Sequence, residues 1–264
     1  MPPVRRSTLC HWEKHWERQA RQDDGYPNDD RMVRALTRHR DLSGARVLEI
    51  GPGSGGDAVA LAKLGARVTT IDYSARSVPL VRRAAERTGV SIEIIHGDAL
   101  RAPFHDATFD VVCHQGLLEH FRDPRPLLVE NARLLAPGGD LLVDVPQRWH
   151  AYTLLKHGLM AVDRWFAGWE TEFSIRELSG AVRSAGLDVI DEYGSWMVPN
   201  LLYRAARRGL ADARVVTLPM YPRGPQALTR ARTAVRERAL RTRLPVRTGA
   251  CIGVVARKPG PAGQ

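Results

Sequence analysis

From Ala45 onward the chain repeats one alternation: a short, nearly continuous apolar run, then a stretch with helical periodicity closed by glycine. The runs Arg46–Ile50, Arg67–Ile71, Ser91–Ile95, Phe109–Cys113 and Leu141–Val145 read as strands. Asp57–Leu64 and Ser77–Arg87 read as helices ended by Gly65 and Gly89, and Pro126–Leu135 as a helix ended by Pro137-Gly138-Gly139. Strands that are apolar throughout belong in a parallel sheet covered on both faces. Crossovers this short are right-handed, and they wind helices onto both sides of the sheet. With Leu187–Tyr193 and Ala250–Arg257 as closing strands, the expected fold is α/β. It is a doubly wound, mostly parallel seven-stranded sheet with helices on both faces, plus a helical cap or insertion. In such a sheet a ligand belongs at the carboxyl ends of the strands.

Composition narrows the setting. A chain of 264 residues suits one such domain with an elaboration. Cys10, Cys113 and Cys251 are scattered and lack ligand spacing, which argues for a reducing compartment and against disulfides or a metal site. The first thirty residues are polar and do not resemble a signal peptide, and Ala151–Trp169 is interrupted by Lys156, His157, Asp163 and Arg164. The expectation is a cytoplasmic protein without a transmembrane segment. The net charge of +10 is unevenly placed, because Asn200–Thr248 holds twelve arginines against Asp212 and Glu237. That segment suits an anionic acceptor, RNA or a membrane surface, or is a solvated basic surface.

Four motifs sit at the expected strand ends. Gly51-x-Gly53-x-x-Gly56 lets a ligand approach the backbone and offers helix amides to a negative group, and it also fits the dinucleotide fingerprint. Glu49, two residues earlier, can hold a cationic amino end but would crowd a pyrophosphate. Asp72, followed by Tyr73, ends the second run where an acid accepts from both ribose hydroxyls. His96-Gly97-Asp98-Ala99 ends the third, where Asp98 can accept from an adenine amino group. Pro103-Phe104-His105-Asp106-Ala107-Thr108-Phe109-Asp110 leads into the fourth, and Leu135-Ala136-Pro137-Gly138-Gly139 precedes the fifth.

Taken in order from Val47 to Val145, these motifs resemble the class I S-adenosylmethionine (SAM) dependent methyltransferases. The resemblance implies SAM as cofactor, bound by Glu49, Gly51, Gly53, Gly55, Asp72, Tyr73, Asp98 and Ala99, with Gln115 alongside it. Leu118-Glu119-His120 also resembles methyltransferases of quinones and similar small molecules. The division that follows is 1–42 as a helical segment over the cofactor site and 43–146 as the SAM-binding core. Residues 147–248 supply acceptor-side helices, a sixth strand and the arginine-rich insertion, 249–258 the closing strand and 259–264 a tail. Within the third part, Tyr152–Phe166 is amphipathic through Tyr152, Leu155, Leu159, Val162 and Phe166, and Ser174 with Glu177 forms a capping box.

Methyl transfer needs positioning first, and a base only when the acceptor arrives protonated. His114, Glu119, His120, Asp144, Gln147 and His150 follow strands four and five, and of these His120 and then His150 are the preferred bases. The aromatic residues Trp149, Tyr152, Trp165, Trp169, Tyr193 and Trp196 either line an acceptor pocket or fill the core of the cap. The leading expectation is methylation of a small-molecule or lipid-like acceptor, with peripheral membrane contact allowed and DNA not a partner. An RNA methyltransferase ranks second, because no Asn/Asp-Pro-Pro-aromatic motif follows strand four. An NAD-dependent oxidoreductase and a non-catalytic SAM-binding subunit rank lower.

Overall fold

The structure, a computed structural model, describes residues 7–21, 30–165, 167–222 and 224–260. The strands are β1 (Arg46–Ile50), β2 (Arg67–Asp72), β3 (Ile92–His96), β4 (Phe109–Gln115), β5 (Leu135–Pro146), β6 (Asp188–Ser195) and β7 (Cys251–Arg257). They form one seven-stranded sheet in the order β3-β2-β1-β4-β5-β7-β6. β1 to β5 pair in parallel, and β7 runs antiparallel between β5 and β6. The strand order reverses between β1 and β4, which is where an open α/β sheet places its ligand crevice.

The ten helices among the described residues are α1 (Leu9–Arg21), α2 (Arg31–Thr37), α3 (Gly56–Lys63), α4 (Val78–Thr88), α5 (Arg125–Leu134), α6 (Ala151–Ala161), α7 (Ile175–Ser184), α8 (Leu201–Asp212), α9 (Gln226–Leu240) and α10 (Leu244–Thr248). Alternate side chains of each strand feed two separate cores. Leu48, Ile50, Val112, Val143 and Ile252 pack with Leu127 and Leu128 of α5 and Leu178 and Val182 of α7. Val47, Val111, Leu142 and Val255 face the other way, under Met32 and Leu36 of α2 and Ala58 and Leu61 of α3. The capping box of α7 is formed, with Ser174 and Glu177 satisfying each other's backbone N–H.

Two buried carboxylates on β5 fasten the ends of the chain to the sheet. Asp144 accepts from Arg31 Nε at 3.0 Å and Nη2 at 2.9 Å, and from the Tyr193 hydroxyl at 3.0 Å. Asp140 accepts from Arg40 Nε at 2.6 Å and Arg257 Nε at 2.8 Å. Asp144, a base candidate by its place near the end of β5, is thereby engaged by Arg31 and Tyr193.

Two expectations need correction. The fifth strand starts at Leu135, not after the Pro137-Gly138-Gly139 turn: Phe109 pairs with Leu135 and Val111 with Asp140, so the extra residues are absorbed as an irregularity inside the strand. Gly138 makes this possible with φ +73° and an N–H bond to Lys258 O at 2.9 Å. The second concerns α6, which ends at Ala161 and exposes Leu155 and Val162 instead of burying them. Phe166, assigned to the same face, lies outside the described residues.

Candidate active site

A cavity of about 650 Å³ opens where β1, β2, β4 and β5 end. Its floor follows from local chain chemistry. β1 runs into Gly51 and Gly53, both in left-handed conformation with φ +66° and +56°, which a side chain would strain. This turn brings the backbone to the cavity wall and delivers the first turn of α3 there, with Asp57 buried at its start. Gly55, also left-handed, is the α3 N-cap, and a Cβ there would lie 3.0 Å from Val81 Cα. It shapes the loop from behind and does not line the cavity.

Glu49 and Gln115 line the cavity from adjacent strands. Glu49 is almost fully buried, and its Oε2 has no hydrogen-bond partner. Burial raises its pKa well above the ordinary glutamate value, and the nearby Asp57 and Asp72 charges push the same way. The Gln115 Oε1 is likewise buried and unsatisfied. Asp72 and Tyr73 line the cavity at the end of β2. Asp72 accepts from Ser74 N at 2.8 Å, and burial lifts its pKa too. Asp98 and Ala99 do not line the cavity; Asp98 caps a short helical turn by accepting from Leu100 N at 2.9 Å. Its charge still reaches the Tyr73 ring, so it borders the β2 side of the site.

The lining holds six carboxyl groups (Asp30, Glu49, Asp57, Asp72, Glu119 and Glu170) and two imidazoles. Among the described lining residues there is no lysine or arginine, although the chain carries a net +10. The donor set therefore fits a cationic ligand. An ammonium placed at Glu49 would satisfy the orphaned oxygen and relieve the crowding of acids. SAM, with an ammonium and a sulfonium against one carboxylate, fits this wall.

α1 closes the cavity from above, within the segment expected to lie over the cofactor site, and its lining residues are ones the sequence did not single out. Trp12 and Trp16, four residues apart and hence on one helix face, both line it. Trp16 covers the glycine turn so closely that a Cβ on Gly53 would lie 2.6 Å from its ring. Trp12 meets the His120 ring edge to face at 4.7 Å between centroids. Glu13 ties the helix to the loop after β2, accepting from Ser74 Oγ at 2.7 Å and pairing with Arg76 at 3.3 Å.

The far end of the cavity is walled by Glu119, His120, Pro146, Tyr152, Trp165 and Glu170. Tyr152 and Trp165 meet edge to face at 6.0 Å. The His120 Nδ1 and Glu119 Oε2 are buried and unsatisfied. Burial lowers the His120 pKa and raises that of Glu119, the latter helped by the Glu170 charge. Tyr152 is pushed up to about 12, chiefly by burial. The wall therefore offers an imidazole shifted towards its neutral form, a carboxyl shifted towards its protonated form and a phenol.

Glu170 and Lys156 are functional-site residues that periodicity could not reveal. Lys156 is fully buried, 2.8 Å from Glu170 Oε2 and 3.1 Å from Glu172 Oε1, and Trp165 Nε1 donates to Glu170 Oε1 at 2.8 Å. Removing the ammonium strands two largely buried carboxylates. Lys156→Met should cost about 3–5 kcal/mol in urea unfolding; a loss below about 1 kcal/mol would show that the pair carries no structural weight.

The remaining sequence candidates lie elsewhere. His150 caps α6 by accepting from Tyr152 N at 3.1 Å and does not line the cavity. His114 is buried against α5, with Nε2 3.0 Å from Asn131 Nδ2 and its pKa lowered by burial to about 3. Gln147 is buried and donates to Val246 O at 2.7 Å. Of the aromatic group only Tyr152 and Trp165 line the cavity. Tyr193 is buried on Asp144, Trp169 lies 4.2 Å under Arg122, Trp196 donates to Thr248 at 2.9 Å and Trp149 is exposed.

Known proteins match this arrangement. Residues 48–143 match the family described as methyltransferase domain. The ubiquinone biosynthesis O-methyltransferase of Roseobacter denitrificans is 31% identical over 166 residues, covering 61% of this chain and 67% of that protein. The solved structure of the [4+2]-cyclase SpnF superimposes with a TM-score of 0.63 at 21% identity, covering 98% of both chains. Magnesium protoporphyrin IX methyltransferase from Synechocystis PCC 6803, solved with bound S-adenosylhomocysteine (SAH), does so with a TM-score of 0.59 at 14% identity, covering 93% of each chain. The ordered motifs, the acidic cavity at the strand switch and these matches lead to one conclusion: the chain belongs to the class I SAM-dependent methyltransferases.

Proposed function

We propose that this enzyme methylates a hydroxyl oxygen of a small, uncharged, ring-bearing acceptor, with His120 taking the hydroxyl proton. The observation that carries the reading is the far wall of the cavity: two aromatic rings, a neutral buried imidazole with an unsatisfied Nδ1, and no lysine or arginine among the described lining residues. A carboxylate or phosphate acceptor finds no lysine or arginine among the described lining residues, and none of the described arginines of 200–248 lines the cavity. The relative named for O-methylation in ubiquinone biosynthesis supports the same acceptor class.

SAM supplies an electrophilic methyl group on a leaving thioether. The protein's residues do the rest. Glu49 holds the ammonium, the amides around Gly51 and Gly53 face the carboxylate, and Asp72 accepts from the ribose hydroxyls, with Tyr73 and Asp98 on the adenine side. Gln115 and α1 keep water from the transfer line. Tyr152 and Trp165 orient the acceptor ring so that its oxygen approaches between Glu119 and His120.

Calorimetric titration with SAH and NAD, followed by labelled-methyl assays on phenols, carboxylates and phosphorylated analogues, tests the reading. SAH should bind and NAD should not, and phenolic acceptors should be labelled. Labelling of anionic acceptors alone would overturn the acceptor assignment. Asp72→Ala should weaken SAH by about 1–3 kcal/mol; unchanged affinity would remove Asp72 from the cofactor contacts.

A further inference from the structure

α6 is turned inside out. Its inward positions carry Thr153 and Lys156, while Leu154 (76% exposed), Leu155 and Val162 face solvent, with Trp149 exposed just before the helix. α8 repeats the pattern: Leu202 is 80% exposed, and Ala205, Ala206 and Gly209 continue its outward face at three- and four-residue spacing. Val215 and Val216, beyond α8, are exposed as well. The charge of Arg204 on α8 reaches the Tyr152 hydroxyl on α6. Leucines so exposed gain little hydrophobic stabilisation from the fold. Helix faces that expose several large apolar side chains mark a contact site.

Charge identifies the partner. α8 opens the segment with twelve arginines against two acids, and Arg208, Arg214, Arg230, Arg232 and Arg238 are exposed along it. Exposed apolar side chains together with an arginine-rich segment that begins in α8 match a surface that is greasy below and anionic above, which is a bilayer of acidic phospholipid. An RNA would use the arginines and leave the leucines in water. Among the described residues no helix is long and apolar enough to cross a membrane, so the contact is with one face of the bilayer.

We propose that α6 and α8 dock this protein on anionic phospholipid membranes, with Leu154, Leu155 and Leu202 entering the headgroup region and the arginines meeting phosphates. The docking is independent of the acceptor assigned above, although Tyr152 places the same helix against the acceptor end of the cavity.

Co-sedimentation of the full chain with vesicles tests it. Vesicles of phosphatidylcholine with phosphatidylglycerol should pull the protein down, pure phosphatidylcholine should not, and added salt should weaken the binding. Leu154→Glu with Leu155→Glu, and separately Leu202→Glu, should each reduce binding by roughly tenfold or more. SAH affinity and the thermal midpoint should stay at the parent values, which excludes misfolding. No binding to the anionic vesicles at low salt overturns the proposal, as does binding that both leucine variants retain. RNA binding that the leucine variants retain, without vesicle binding, overturns it in favour of a simple polyanion surface.

Discussion

Glu49→Gln is expected to make the enzyme more stable and worse at holding its cofactor. The wild-type carboxyl is buried, faces Asp57 and Asp72, and has one oxygen with no partner. A buried acid in that position costs stability in the empty protein, since its folded pKa lies well above the ordinary glutamate value. The folded state then binds the proton more tightly than the unfolded state. Stability contributed by Glu49 is present at low pH and is lost as pH rises from the ordinary glutamate value towards the raised one. Glutamine keeps the acceptor for the Ala58 amide and removes the charge, so the thermal midpoint at neutral pH should rise by about 2–4 °C for each kcal/mol relieved. The same change removes the charge-assisted bond to an ammonium. SAH affinity should fall by about 1.5–3 kcal/mol, roughly ten- to 150-fold. A midpoint that falls, or SAH affinity that holds, would show that the residue is not facing the amino end of the cofactor.

His120→Ala is expected to slow turnover by a factor on the order of 10²–10⁴ while SAH affinity stays near the parent value. The imidazole lies at the acceptor end of the cavity and not beside Glu49 or the glycine turn, so its loss should appear in kcat. The pH profile separates proton transfer from packing against Trp12. Burial lowers the His120 pKa, so the ring is already a free base at neutral pH. Wild-type kcat should hold as pH falls to the ordinary imidazole value and decline only below it. In the alanine variant that acid limb should vanish. A variant with the parent kcat, or one that keeps the acid limb unchanged, would assign His120 to structure.

Much of the sheet was legible because buried parallel strands leave an unambiguous trace. RVLEI, RVTTID and FDVVCHQ are apolar where both faces are covered, and each carries near its end a residue that lines the cavity. Glu49 and Asp72 were legible as acids at the ends of strands that reach the switch point, whereas Gln115 came only from the resemblance to the methyltransferase family; all three line the cavity. The N-terminal segment was expected over the site, but the two indoles with which it lines the cavity, and the Lys156–Glu170 pair, were not legible for a different reason. Trp12 and Trp16 look like stray aromatics in a charged segment until α1 folds over Gly53. Lys156 looks like a solvent-facing break in an apolar helix, whereas its true partners are fourteen and sixteen residues away. The same misreading inverted α6: apolar spacing finds the greasy face of a helix but does not say which way it points. His150 illustrates the converse, a residue at a catalytic position along the chain that is consumed in capping its own helix.

The chain leaves the sheet at Ser195 and re-enters it at Cys251, and these two residues are paired across β6 and β7. Everything between them is therefore, in topological terms, one oversized hairpin turn whose two feet stand side by side. Apart from α10, whose Pro245 and Val246 are buried beside β6, such an appendage can be lengthened, recharged or exchanged between relatives without shifting a strand, because closure entropy grows only slowly with loop length. The cofactor chemistry rests on the parallel half of the sheet, and the arginine-rich excursion hangs from its antiparallel edge. Selection can thus redirect where this methyltransferase works while leaving how it works untouched.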